Sequence, residues 1–301
     1  MLKLIPLFLL LFSSFSSIAQ IHMAVKKEGF ILMEGKDSIF FYQKNMKYKD
    51  GQYGRCHYIH PLYGAGNARL TEDFPADHLH QRGVFWAWHQ ILIDDKTVAD
   101  GWELKNFQQK VTDIEFQQNE KKGILNTTVE WKSPLWKEGS EAYLRENTTI
   151  TIHPDKANCR RIDFEIRLHT LVDGLSIGGS DDEKGYSGFS VRLKLPADVT
   201  FSGEKGLVEP INTAVEAGPF IRIEGSLLKE GKKGGIIIFS DPRNPAPATN
   251  WILRKSASMQ NAAYPGRKPV AIPPGKPLIL KYTLLVYEGI LSEKQLLKAI
   301  K

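Results

Sequence analysis

The chain has 301 residues, 42% hydrophobic and 25% charged; that balance excludes a disordered, collagen-like or coiled-coil protein. Lys+Arg 40 against Asp+Glu 34 gives a formal charge of +6. The positive residues are spread along the chain, so no basic patch marks a nucleic-acid partner.

Residues 1–19 read as a secretory signal peptide. Met1-Leu2-Lys3 is a short positive start, Leu4 to Phe12 is apolar, and Ser17 and Ala19 are the small residues of a cleavage site before Gln20. The apolar run is about half of the ~20 residues that a membrane span needs, and no later run reaches that length. The expected location is therefore periplasmic or secreted, with no membrane span once the leader is removed. Cys56 and Cys159 are the two cysteines. Such a compartment permits a bridge, and two separate thiols remain equally open.

Beyond the leader the pattern is mostly strand, because apolar residues recur with period two. Leu125, Thr127, Val129 and Trp131 form one such set, and Glu146, Thr148, Ile150 and Ile152 a second. Ile162, Phe164, Ile166 and Leu168 alternate with Asp163, Glu165, Arg167 and His169. Phe189, Val191, Leu193 and Leu195 alternate with Ser190, Arg192 and Lys194. Ile236 to Phe239 is an unbroken apolar run, suited to a strand covered on both faces. The segments 241–250 and 264–277 are rich in Pro and Gly and read as long loops. Leu278 to Tyr287 is a long strand candidate after the Pro273-Pro274-Gly275 turn. The one helical pattern is terminal: Ser292-Glu293-Lys294-Gln295 has the form of a capping box, and Leu296, Leu297 and Ile300 share a face. The expectation is an all-β chain: one large antiparallel β-sandwich domain over residues 20–301, with a short C-terminal helix.

The chemistry is concentrated between residues 55 and 103. Five of the eight histidines fall there: His57, His60, His78, His80 and His89. Trp86, Trp88 and Trp102 lie in the same window. In extended backbone His78 and His80 project to one face, with Asp77 and Arg82 beside them. Imidazoles shuttle protons near neutral pH, Arg clamps carboxylates or hydroxyls, and Trp stacks on sugar faces. His-x-His is also a frequent metal-ligand pair. A cupin-type site wants a carboxylate about four residues on, however, and Val84 stands there. No H-E-x-x-H, nucleophile elbow, Walker motif or dinucleotide loop occurs. The expected cofactor is none, with a metal at His60, His78 and His80 as the minor alternative.

The string His60-Pro61-Leu62-Tyr63, Thr71 to Pro75, Asp77-His78-Leu79-His80-Gln81-Arg82-Gly83 and Phe85-Trp86-Ala87-Trp88 resembles a family of bacterial proteins. That family is labelled "methane oxygenase PmoA" or treated as a domain of unknown function (DUF6807). Lys184 to Ser190, and Ile238 to Pro245 followed by Thr249-Asn250-Trp251, resemble two further segments of it. The family's D-H-P-H-H-R-G reads here with Leu79 for proline and Gln81 for the last histidine. Ser240 and Asp241 replace its usual aspartate and histidine. The label is shared with an integral membrane subunit, and this chain has no apolar run of span length after residue 19, so the label carries no mechanism here.

The resemblance implies a supersandwich similar to galactose mutarotase-like folds, which bind saccharides on a concave sheet face. On that basis the expected function is an exported, carbohydrate-active protein with a small-molecule or oligosaccharide ligand and His-based acid–base chemistry of the epimerase, lyase or hydrolase type. His78 and His80 are the expected acid/base pair, with Asp77, Glu103 or Asp182 as acidic partner. Arg82 and Lys184 would stabilise negative charge, Trp86 and Trp251 would stack on a ring, and His60 and Asn250 would line the site. The alternatives are a non-catalytic carbohydrate-binding envelope protein and a metal-dependent oxygenase.

Overall fold

The computed structural model describes residues 20–119, 121–246, 249–292, 294, 295 and 299. The expected leader lies outside them. The fold is all-β, and two large antiparallel sheets face one another. The first runs, edge to edge, through Ile21–Lys26, Gly29–Glu34, Asp37–Gln43, Tyr58–Gly64, Val84–Trp88, Ser187–Val191, Gln260–Ala262, Asn250–Ile252 and Val215–Glu216. The second runs through Gln108–Asn119, Lys122–Lys132, Leu144–Ile152, Cys159–Thr170, Leu278–Glu288, Gly234–Ser240, Phe220–Gly225, Thr200–Gly203 and Gly206–Leu207. A four-stranded sheet (Lys96–Ala99, Gln90–Ile93, Leu175–Gly178, Val270–Ala271) and a hairpin (Lys47–Lys49, Gln52–Arg55) complete it.

The period-two reading explains the second sheet directly. From Gly123 to Trp131 every second residue is buried, and Leu144–Ile152 and Ile162–Leu168 alternate in the same way. The inward residues meet those of the first sheet in one core, where Trp86 stacks on Phe189 with centroids 6.2 Å apart and Phe189 stacks on Tyr282 at 4.6 Å. Burial of such aromatic surface supplies most of the driving force. The first sheet departs from simple alternation. All five residues of Val84–Trp88 and all five of Ser187–Val191 are buried. Loops cover its outer face, so Phe85 and Ala87 pack outward against Tyr58, Trp102 and Met259.

One polar group lies deep in the core. Glu146 is wholly buried. It accepts hydrogen bonds from His57 Nε2 (2.6 Å), Trp86 Nε1 (2.7 Å), Thr148 Oγ1 (2.6 Å) and Trp131 Nε1 (3.1 Å). His57 Nδ1 in turn meets the Tyr42 hydroxyl at 2.6 Å. Burial alone pushes the Glu146 carboxyl up, but His57 and the converging donors outweigh it and hold it below its usual range.

Gly83 enters the strand that leads out of the histidine loop. A Cβ there would lie 2.0 Å from the Ile59 carbonyl oxygen, which is backbone and cannot swing aside. Gly83→Ala is expected to cost ~3 kcal/mol or more through forced strand separation, read as a lower urea midpoint; an unchanged midpoint contradicts that close approach.

At the C-terminus the expected capping box is formed. Ser292 N donates to Gln295 Oε1 at 2.9 Å, and Gln295 N donates to Ser292 Oγ at 3.4 Å. Lys294, Gln295 and Ala299 are helical, while Leu296, Leu297 and Ile300, the expected apolar face, lie outside the described residues. Cys56 is buried, its Sγ donating to the Gln109 carbonyl at 3.4 Å, and burial raises its thiol to about 12. Cys159 sits in a separate cluster with Ile237 and Leu285. Both thiols are free, so of the two open readings the unbridged one holds.

Candidate functional site

The segment 71–83 crosses the outer face of the first sheet and is tied down by two arginines. Arg192 follows the strand Ser187–Val191, on the outward side that its alternation dictates. Its guanidinium takes Asp77 as a fork, two bonds of 2.8 Å, and also donates to Glu72 at 2.8 Å and to Gln81 Oε1 at 2.9 Å. Such planar, bidentate geometry fixes orientation as well as adding energy. Arg82 is fully buried. It donates to the carbonyls of Leu79 (2.5 Å) and Tyr53, lies 3.4 Å over the Phe74 ring, and pairs with Asp73 at 3.3 Å.

On this frame the imidazoles converge. His78 Nδ1 is 2.7 Å from Asp77 Oδ2. The His78 and His80 rings are 5.7 Å apart and perpendicular. His80 Nδ1 is 3.7 Å from Glu103 Oε2. Glu103 is presented by a turn that Asp100 caps, its Oδ1 accepting from Trp102 N (2.9 Å) and Glu103 N (2.8 Å). The other Asp100 oxygen accepts from His89 Nδ1 at 2.9 Å, and His89 stacks on Trp102. Tyr186 closes that side at 5.5 Å from Trp102, with its hydroxyl accepting from Arg254 at 2.6 Å.

The electrostatics separate the two histidines. Burial raises the Asp77 carboxyl, but the hydrogen bonds from Arg192 and His78 win and hold it at about 2. Asp77 therefore stays ionised against His78. Burial, then the positive Arg55 and the neighbouring His78 and His89, pushes His80 down to about 3. His80 is a neutral imidazole at any physiological pH. Burial likewise lowers His60 to about 4. Beneath lies Arg55, buried, donating to the Gly101 carbonyl at 2.6 Å and lowered to about 9 by burial and by Arg82.

These shifts make the fold acid-sensitive. An unfolded histidine takes up its proton near 6.5, whereas His60 and His80 in the fold do so only near 4 and 3. Between those values the unfolded chain binds more protons, so stability falls as pH falls, by about 1.4 kcal/mol per pH unit for each group. The melting temperature is expected to drop steadily from pH 6.5 to pH 4, and His80→Gln is expected to flatten the slope. An equal slope in that variant contradicts the assignment.

Of the residues singled out from sequence, Asp77, His78, His80 and Glu103 come together. Lys184 stands at the margin, its Nζ 6.0 Å over the Tyr186 ring. The others do not join them. Trp86 points into the core against Phe189 and Glu146. Trp251 is buried and donates to the Gly218 carbonyl at 2.9 Å. Asn250 is exposed on a strand pair with Glu216. His60 bonds Thr71 Oγ1 at 3.1 Å. Arg82 is consumed by backbone carbonyls and Asp73. Asp182 caps its own loop through Ser180, Lys184 N and Gly185 N. Gln81, at the family's usual histidine, is buried between Arg192 and Ser258. Asp241 pairs with Arg243 on the far sheet. Sequence reasoning gave no role to Arg192, Asp100 or Tyr186. Arg192 carried a signal as the cation on the polar face of its strand, and Tyr186 lies inside the Lys184–Ser190 segment that resembles the family. Among the described residues no group of three or more His, Cys, Asp or Glu side chains is arranged to hold a metal ion. No helix among them is long and apolar enough to cross a membrane.

Comparison with curated proteins finds no match. A family model described as a family of unknown function (DUF6807) matches residues 31–301. The match covers the second sheet, the first sheet apart from its edge strand Ile21–Lys26 and the start of the next, and every residue of the histidine cluster, and the chain belongs to this family.

Proposed function

We propose that this DUF6807 member is an exported enzyme that moves a proton on a sugar or sugar derivative, with His78 as the base and His80 as a neutral hydrogen-bonding partner. The observation that carries the reading is the Asp77–His78 pair at 2.7 Å with a second imidazole 5.7 Å away. An ionised carboxylate on Nδ1 fixes the tautomer, leaving the His78 Nε2 lone pair to accept a proton. Its side chain is 41% exposed, so a ligand can reach it. A neutral His80 can donate to a carbonyl or hydroxyl oxygen as negative charge develops there, the role a lowered imidazole pKa permits. Glu103 beside it can accept from a sugar hydroxyl, and Tyr186 offers a partly exposed aromatic face. Export is supported by the composition of residues 1–19.

The test is turnover of mono-, keto- and acidic sugars, followed by NMR with the purified protein. Product formation that His78→Ala removes supports the reading. Saccharide binding without any turnover, weakened only modestly by His78→Ala and His80→Ala, replaces it with a carbohydrate-binding envelope protein.

A further inference from the structure

The histidine cluster has an unused neighbour. A hollow of about 680 Å³, within the range of small-molecule sites, opens beside it between the hairpin Lys47–Arg55 and the turn at 103–108. Its wall includes Tyr48, Gln52, Tyr53, Glu103, Leu104 and Phe107. Glu103 belongs to both places, because the same side chain reaches His80 at 3.7 Å. Tyr53 also joins them, since its carbonyl accepts from Arg82 in the histidine loop.

The wall is built to present its rings. The Tyr48 ring packs against Gly54, where a Cβ would come within 2.3 Å of it, and Tyr48 is nevertheless 57% exposed. The ring is thus held from behind and open in front. Tyr53 and Leu104 sit at φ of 53° and 63°, left-handed backbone that bulky residues adopt at a cost. Such conformations persist where surrounding structure enforces them, and they gather at ligand-holding loops. The hairpin carrying Tyr48 is anchored to the same loop by Lys47, which donates to Asp73 at 2.7 Å.

We infer that this hollow is a second sugar subsite, so that the substrate is a disaccharide, longer glycan or glycoside rather than a free monosaccharide. One unit lies at His78 and His80, and the next lies against Tyr48, with Gln52 within reach of its hydroxyls. The inference rests on the reading above and deepens it: Glu103 stands at the junction of the two units, where it can hold hydroxyls of either.

Matched series test it by calorimetry: glucose, cellobiose and cellotetraose; glucose, maltose and maltotetraose; galacturonate, digalacturonate and tetragalacturonate. In one series the dimer and tetramer are expected to bind at least tenfold tighter than the monomer. Tyr48→Ala should abolish that gain and leave monomer affinity within twofold. Gln52→Trp, which fills the hollow from an exposed position without touching either histidine, should do the same. Equal affinity of monomer and oligomers overturns the subsite while leaving the acid–base site standing, provided the monomer turns over. An equal loss for monomer and oligomer in Tyr48→Ala, in a variant whose melting temperature is unchanged, also overturns it. If no saccharide of any length binds, the subsite and the sugar-active reading fall together.

Discussion

His78→Ala is expected to lower turnover by two to four orders of magnitude, the usual contribution of a positioned proton-transfer group, while shifting the melting temperature by no more than about 2 °C. The stability side follows from exposure. The His78 side chain is 41% exposed, and Asp77, to which it hydrogen-bonds, keeps Arg192 when the ring is removed. Little packing is lost on truncation. The activity side follows from the Asp77 pair, which aims Nε2 outward. Asp77→Asn is expected to lower turnover as well, since an amide does not fix the same tautomer. It should also cost about 1–3 kcal/mol, because one fork of Arg192 loses its charge partner. The two variants therefore separate a group that reacts from one that positions. If His78→Ala retains more than a tenth of wild-type turnover, the proton moves elsewhere.

The second large effect lies in the buried core, at Glu146. Glu146→Gln is expected to destabilise the fold by ~3–5 kcal/mol, the loss seen when one partner of a buried charged network is removed. Four donors converge on this carboxylate in the wholly buried core. An amide offers one acceptor oxygen and turns its NH₂ toward His57 or an indole N–H. The displaced donors are then left without partners in a dry environment, each costing about 1–3 kcal/mol. A urea titration reads the effect directly. Combining Glu146→Leu with His57→Phe should cost less than the sum of the two single changes, because the second removes a donor that the first stranded. A loss under 1 kcal/mol for Glu146→Gln contradicts the view of this network as a specifying element of the core.

The second sheet was legible in the sequence because one of its faces meets water. Polar Asp163, Glu165 and Arg167 between apolar Ile162, Phe164 and Ile166 mark the two sides plainly. The first sheet hid its sides. Val84-Phe85-Trp86-Ala87-Trp88 has no polar residue, and all five positions are buried, so period two could not tell which tryptophan faces a ligand. That is why Trp86, expected to stack on a sugar, belongs to the core. The residue in the matching place outside, Trp102, comes from a loop whose position no local pattern records. Arg192 and Asp77 are 115 positions apart. Their pairing depends on which strands become neighbours, which composition and spacing do not specify. Arg82 misled for a related reason: a guanidinium beside two histidines suggests an anion clamp, yet it is buried, donates to the carbonyls of Leu79, Gln81 and Tyr53, and faces Asp73 as its ion partner. The pair His78 and His80 was legible because one short loop carries both.

The proposed function requires His78 to take a proton from a bound sugar. Incubation of the protein in D₂O with the sugars it binds, followed by NMR, tests it even where no net product accumulates. Deuterium is expected at one carbon-bound position of a single sugar class with wild type, none above background with His78→Ala, and a slowed rate with His80→Gln. Incorporation at an undiminished rate in His78→Ala contradicts it.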